Sequence, residues 1–303
     1  MKIVMSLNTE PIKKKVLEQQ KKGNALWGDE KGVSTYLRRT IINLHLSCLL
    51  AKTYYGRVEF VTDELGYDLS SILKLPFTKT DVLSFKHVDD KFWAYGKLKA
   101  YELQEEPFLH IDNDVFLFRR FPKIIHQAPV VAEMLETNNI HYKNGEKIIT
   151  PGCPKSFIKH HKDKVAYCMG IFGGNDLQFI SDYSKQALKW CDNQNWDSVY
   201  DNGLRDDILI LLDKTLMTKV EQQLMYCESK EKGVNIFSLV DNGYLPEKYG
   251  YLHLKSLKYF HRYDRKILQY FKTYFSSEFD HMERNIECLI KTIIASDQNV
   301  NSM

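Results

Sequence analysis

The chain has 303 residues, 44% hydrophobic and 27% charged, which is the composition of an ordinary globular protein. Lys+Arg 42 against Asp+Glu 39 leaves a net +3, too little to argue for nucleic acid. Six scattered cysteines (Cys48, Cys153, Cys168, Cys191, Cys227 and Cys288) contain no CxxC pair, which favours reduced thiols over a disulfide framework or a zinc site. The opening "MKIVMSLNTEPIKKK" has too short an apolar run for a signal peptide, and no run approaches a membrane span. The expected location is therefore cytoplasmic.

In chain order, "KIVMSL" (Lys2–Leu7) reads as a buried strand, followed by a polar, partly helical stretch to about Gly32. Ser34 can cap a helix in which Leu37, Ile41, Leu44 and Cys48 recur at helical spacing before Gly56 stops it. "RVEFVTDE" and "DVLSFKH" read as strands, "DDKFWAYGKLKAYELQEE" as a helix, and "PFLHI" as a continuous apolar strand delivering Asp112. From Arg120 to about Lys164 the pattern is irregular and includes "APVVAEMLE". "VAYCMGIFGGND" reads as a strand running into a glycine turn, after which Asn175 or Asp176 caps the amphipathic "LQFISDYSKQALKWC". "NGLRDDILILLDKTL" reads as another helix, and the chain ends in amphipathic helices. Strands alternating with helices predict an α/β fold with a mostly parallel sheet flanked by helices. The expected organisation is one domain over residues 1–265 and a helical C-terminal extension over 266–303.

The chemistry concentrates at "HIDNDVFLF", where Asp112-Asn113-Asp114 interrupts two apolar runs. Carboxylates among hydrophobes are costly unless compensated. Ligands of parallel α/β sheets bind beyond the carboxyl ends of strands. Asp112 and Asp114, around a turn, suit a hard divalent cation shared with phosphate oxygens. Such an ion would stabilise a departing diphosphate. Asp63 follows the strand "VEFVT" and could either accept hydrogen bonds from a ribose or base, or cap the following turn. Lys97 lies on the helix entering the Asp112 strand, placed to neutralise phosphate or to orient an aspartate.

"AYGKLKAYELQEEPFLHIDNDVFLF" resembles the core of GT-A-fold glycosyltransferases, in which a helix with a basic residue precedes a strand ending in the DXD motif. Motif order is most similar to glycosyltransferase family 8. The resemblance implies a metal-dependent hexosyltransferase using Mn²⁺ or Mg²⁺ and a nucleotide-sugar donor, UDP-sugar first. It implies nucleotide contacts from Ser6, Asn8 and Thr9 in "IVMSLNTE", from Lys97, and from the Asp112-Asn113-Asp114 turn. "YCMGIFGG" would line the sugar, and Asp206-Asp207 would match the family's acidic pair. "HLKSLK" would supply His253 as third metal ligand and Lys258 for the diphosphate. Ser256 stands where that motif has glycine, "DD" where it has Asp-Gln, and Cys168 or Met169 where it has Asn or Ala.

Other readings stay open at several positions. Asp206 and Asp207 fall in a helix's first turn, where the dipole alone favours carboxylates; otherwise one contacts the donor sugar or acts as base toward the acceptor. Lys255 either grips phosphate or belongs to a solvated basic face. Gly173 and Gly174 permit close approach of a ligand or merely a tight turn. Tyr251–Phe275 holds six Lys/Arg and eight aromatics, a composition that packs a helix onto the domain or gives weak contact with an anionic membrane surface. The acceptor (glycan, lipid, peptide or small molecule) is not legible. Two alternatives stand beside transfer: a haloacid-dehalogenase-like phosphatase, whose active site also opens on Asp-x-Asp after an apolar strand, and a non-catalytic nucleotide- or partner-binding domain.

Overall fold

The structure is a computed structural model that describes residues 1–21, 33–137, 140–142, 148–149, 152–192, 215–255 and 261–298. It is an α/β fold with a mostly parallel seven-stranded sheet flanked by helices. The strands are β1 (Lys2–Leu7), β2 (Val58–Thr62), β3 (Lys79–Val82), β4 (Phe108–Ile111), β5 (Val115–Leu117), β6 (Val130–Thr137), β7 (Val165–Gly174), β8 (Ile236–Ser238) and β9 (Tyr251–His253). The sheet order is β3-β2-β1-β4-β7-β6-β8, and β5 with β9 makes a separate two-stranded ribbon. Parallel pairs join β1 to β4, β2 to β3 and β6 to β8, while β7 runs antiparallel to both β4 and β6. The chain divides into two compact units, and β1 contributes to both.

The first unit comprises Met1–Val4, His87–Asp112 and Phe121–Tyr249. Its strands β4, β6 and β7 carry near-continuous apolar runs because sheet and helices bury both faces. Tyr101 packs on Phe172 with centroids 4.8 Å apart, and Phe172 meets Tyr183 edge-on at 6.1 Å. These rings join the helices Tyr95–Glu102 and Leu177–Asp192 to the sheet. The latter begins where expected, with the Phe179 N–H donating to Asp176 Oδ1 at 3.1 Å. The helix expected over residues 89–106 is shorter. A 3-10 turn, Asp90–Phe92, capped by Asp89, precedes a helix confined to Tyr95–Glu102.

The larger departure is β6, an eight-residue strand inside the segment expected to be irregular. Glu133 interrupts its apolar run and masks the pattern. The strand exists through pairing, with Val130, Val131 and Ala132 fully buried between β7 and β8. Residues 202–214 of the helix expected over "NGLRDDILILLDKTL" lie outside the described residues. Downstream, Lys219–Gln223 forms a π-helical turn leading into the helix Leu224–Lys232.

The second unit comprises Met5–Lys86, Asn113–Arg120 and Gly250–Met303. Its longest early helix, Val33–Tyr55, buries Leu37, Ile41, Leu44 and Cys48, the stripe the spacing predicts, and Gly56 at φ 70° ends it. β3 starts two residues earlier than expected and stops sooner. Its polar "KTDV" suits an edge strand, and it pairs Glu59↔Lys79 through Thr62↔Val82. The helix His261–Tyr274 runs through residue 265, and Ser276–Gln298 follows it; Phe271 and Phe279 meet at 5.6 Å. Ile267 and Phe271 are buried, whereas Tyr274 is 66% exposed. Among the described residues no helix is long and apolar enough to cross a membrane.

Candidate functional site

Asp112 ends the first unit, one residue past β4. Its N–H donates to the Gly170 carbonyl at 2.9 Å, so the antiparallel β4–β7 pairing holds its backbone. Its Oδ1 meets Lys97 Nζ at 2.8 Å, and the same ammonium meets Glu221 Oε1 at 2.8 Å. Exposure climbs along this chain of charges, from 0% for the Glu221 side chain to 6% for Lys97 and 28% for Asp112. Burial works against the Lys97 charge, but Asp112 and then Glu221 hold its pKa above the ordinary lysine value. Burial raises the Glu221 pKa, with Lys97 opposing. Burial and the Lys97 charge push His110, on β4, down to about 3, so it adds no charge near neutral pH. Of the two roles expected for Lys97, orienting an aspartate matches its contacts.

In the second unit Asp114 precedes β5, whose register with β9 pairs Val115 with His253. The Leu254 N–H donates to the Asp114 carbonyl at 3.0 Å, continuing that ladder. The register thus brings His253 Nε2 within 3.5 Å of Asp114 Oδ1, both side chains being largely buried. The ribbon is fastened behind by Ser47, whose hydroxyl donates to the Val115 carbonyl at 2.6 Å. Asn113 Nδ2 donates to the Ser6 carbonyl at 3.1 Å, tying the turn to the end of β1, and Asn113 Oδ1 is buried without a hydrogen-bond partner.

Several expected contacts take structural roles. Asp63 caps the helix Glu64–Ile72 by accepting from the Gly66 N–H at 2.9 Å. It also accepts from the Thr9 N–H and hydroxyl, each at 2.8 Å, which pins the loop after β1. Of its two expected roles, the cap matches these contacts. Asn8 Oδ1 accepts from the Glu10 N–H at 3.1 Å at the start of the helix Glu10–Lys21. Gly173 lies inside β7 at φ 151°, and a Cβ there would stand 2.2 Å from the Phe108 carbonyl oxygen. A Cβ at Gly174 would likewise stand 2.1 Å from the Pro129 carbonyl oxygen. Strand-to-strand approach explains both glycines. Lys255 follows β9 in the left-handed region at φ 43°. Asp206, Asp207 and Lys258 lie outside the described residues.

Two acidic residues escaped the sequence reading. Glu221, in "KVEQQ", looks like any solvated helical glutamate; only a count of buried charges, with Lys97 facing two carboxylates, reveals it. Glu133, inside β6, accepts a hydrogen bond from the Cys168 thiol at 3.2 Å. None of the six cysteines forms a disulfide, and of the six only Cys288 is exposed. The residues whose donor types suit a cation include Asp112, Asp114 and His253.

A search of curated proteins gives no match. A family profile covers residues 1–286, nearly the whole chain. The chain therefore belongs to DUF6734, a family of unknown function.

Proposed function

We propose that the protein is a GT-A-type, metal-dependent glycosyltransferase that moves a sugar from a nucleoside-diphosphate donor, UDP-sugar first, to a hydroxylated acceptor. The observation that carries the reading is the placement of Asp112-Asn113-Asp114 just beyond β4, with Lys97 on Asp112 and His253 facing Asp114 at 3.5 Å. Strand ends of this kind are where α/β sheets bind ligands.

The donor set fits a hard divalent ion such as Mn²⁺ or Mg²⁺: two carboxylates from one turn and one imidazole. When bound, that ion would supply charge neutralisation to the donor's diphosphate and to the departing nucleoside diphosphate. The protein's own groups do the rest. Within the first unit a backbone bond to Gly170 and the Lys97 ammonium hold Asp112, and within the second a backbone bond from Leu254 holds Asp114. Asn113 Oδ1, a buried acceptor without a partner, is suited to receive a donor hydroxyl. Lys255 and Lys258 would hold phosphate oxygens, and Asp206 or Asp207 would contact the donor sugar or take the acceptor's proton.

The test is release of nucleoside diphosphate from a panel of nucleotide sugars with Mn²⁺, run beside phosphate release from a generic phosphoester. Slow, Mn²⁺-dependent hydrolysis of one nucleotide sugar, lost in Asp114→Ala, is expected. Phosphoester turnover without nucleotide-sugar hydrolysis would overturn the reading in favour of a phosphatase.

A further inference from the structure

The helix His261–Tyr274 of the second unit holds four Lys/Arg against one Asp, a formal +3 that equals the excess of the whole chain. It turns its most apolar side to the fold, where Ile267 and Phe271 are buried. Along the edge of that side run Tyr270 and Tyr274, one helical turn apart with ring centroids at 4.5 Å. Neighbouring elements of the same unit extend the patch. Phe118, just past β5, meets Tyr270 edge-on at 5.3 Å. Tyr54, near the end of the helix Val33–Tyr55, is 36% exposed. Burial, then Tyr54 and Tyr274, raises the Tyr270 pKa, as expected of three phenols lying together. Bases border the rings. Lys266 is exposed one turn before Tyr270, and the guanidinium of the exposed Arg120 lies 5.3 Å over the Tyr55 ring. Arg57 does not add to them, being paired with Glu59.

Base or sugar stacking needs open ring faces, and the Tyr270 ring is engaged by both Phe118 and Tyr274. A bilayer interface needs something different: an amphipathic edge whose rings sit among headgroups with their hydroxyls wet, beside bases that meet lipid phosphates. We propose that the patch formed by Tyr54, Phe118, Tyr270 and Tyr274, with Arg120 and Lys266 at its border, docks the second unit onto an anionic lipid bilayer. The apolar side of the helix is already buried in the fold, so attachment is shallow and reversible and needs rings and bases together. The proposal is independent of the transferase reading.

The experiment is cosedimentation of the full chain with vesicles of phosphatidylcholine alone, and of phosphatidylcholine with about 30 mol% phosphatidylserine, at fixed ionic strength. Wild type is expected to partition onto the anionic vesicles at least about tenfold more strongly than onto the neutral ones. Arg120→Gln with Lys266→Gln removes two bases and is expected to lower the anionic partition coefficient about thirtyfold. Tyr54→Ser with Tyr274→Ser keeps every charge and is expected to lower it about tenfold. All four side chains are exposed, so unfolding midpoints should stay near wild type. Where a double variant does not fold, Lys266→Gln or Tyr274→Ser alone replaces it, with at least about a threefold loss expected. Equal partition onto neutral and anionic vesicles overturns the proposal, as does wild-type partition in either variant. A wild type that binds neither vesicle overturns it too, and labelled single-stranded RNA run in parallel then shows whether the patch takes nucleic acid instead.

Discussion

The two aspartates of the DND turn are held in different ways. Asp112 ends a buried strand, is fixed by a backbone bond to Gly170, and faces a lysine that is itself ion-paired from behind. Asp114 opens a short ribbon, and its neighbour is an imidazole at 3.5 Å, a group with a lone pair when neutral. One aspartate is embedded in a charge network, and the other is placed by strand register. The first should therefore govern stability, while the second should be expendable to the fold and decisive for ligands.

The strongest way to break this comparison is Lys97→Ala. It strands the carboxylates of Asp112 and Glu221 without their cation, and should cost about 3–5 kcal/mol in urea unfolding. A loss below about 1 kcal/mol would mean that water or rearrangement compensates them and that the network is not structural.

Acid should act on both units, on the first through buried His110 and on the second through buried His45. His45, on the helix behind the ribbon, is buried against Phe271 at 5.1 Å, and burial, then His281, lowers its pKa from 6.5 to about 4. Between those values the unfolded chain binds a proton that the folded one refuses, so stability falls as pH drops through that window. The loss at pH 4 should approach about 3 kcal/mol. His45→Leu should reduce the slope by that share and leave the part due to His110, as read from unfolding midpoints between pH 7 and pH 4.

A smaller effect sharpens the account of β7. Gly173→Ala places a methyl 2.2 Å from the Phe108 carbonyl at a φ that favours glycine. It should cost about 2 kcal/mol through strain and strand displacement. A neutral result would reopen Gly173 as a ligand-facing position.

How much of this was legible follows from where each signal resides. β1, β4 and the helix Val33–Tyr55 carry local periodicity, so sequence alone placed them. The acidic turn was legible because carboxylates between apolar runs demand an explanation. β6 was not, since Glu133 breaks its pattern and its partners β7 and β8 lie far along the chain. β3 was displaced because an edge strand needs no apolar run. Glu221 was invisible because helical periodicity does not say which glutamate turns inward. The cap at Asp63 was readable as one of two roles, and only the contacts with Thr9 and Gly66 separated them.

The central claim, that the DND turn holds a metal and a nucleoside diphosphate, is tested most directly by thermal stability with a panel of nucleoside diphosphates and nucleotide sugars. Each is added with and without Mn²⁺, to wild type and to Asp114→Ala. A ligand that binds only the folded state raises the midpoint, by about 2.7 kcal/mol of stability at a hundredfold excess over its dissociation constant. The account predicts stabilisation by one nucleotide class that requires Mn²⁺ and vanishes in Asp114→Ala, whose own midpoint stays near wild type. A well-folded wild type that responds to no nucleotide, with or without Mn²⁺, would contradict it.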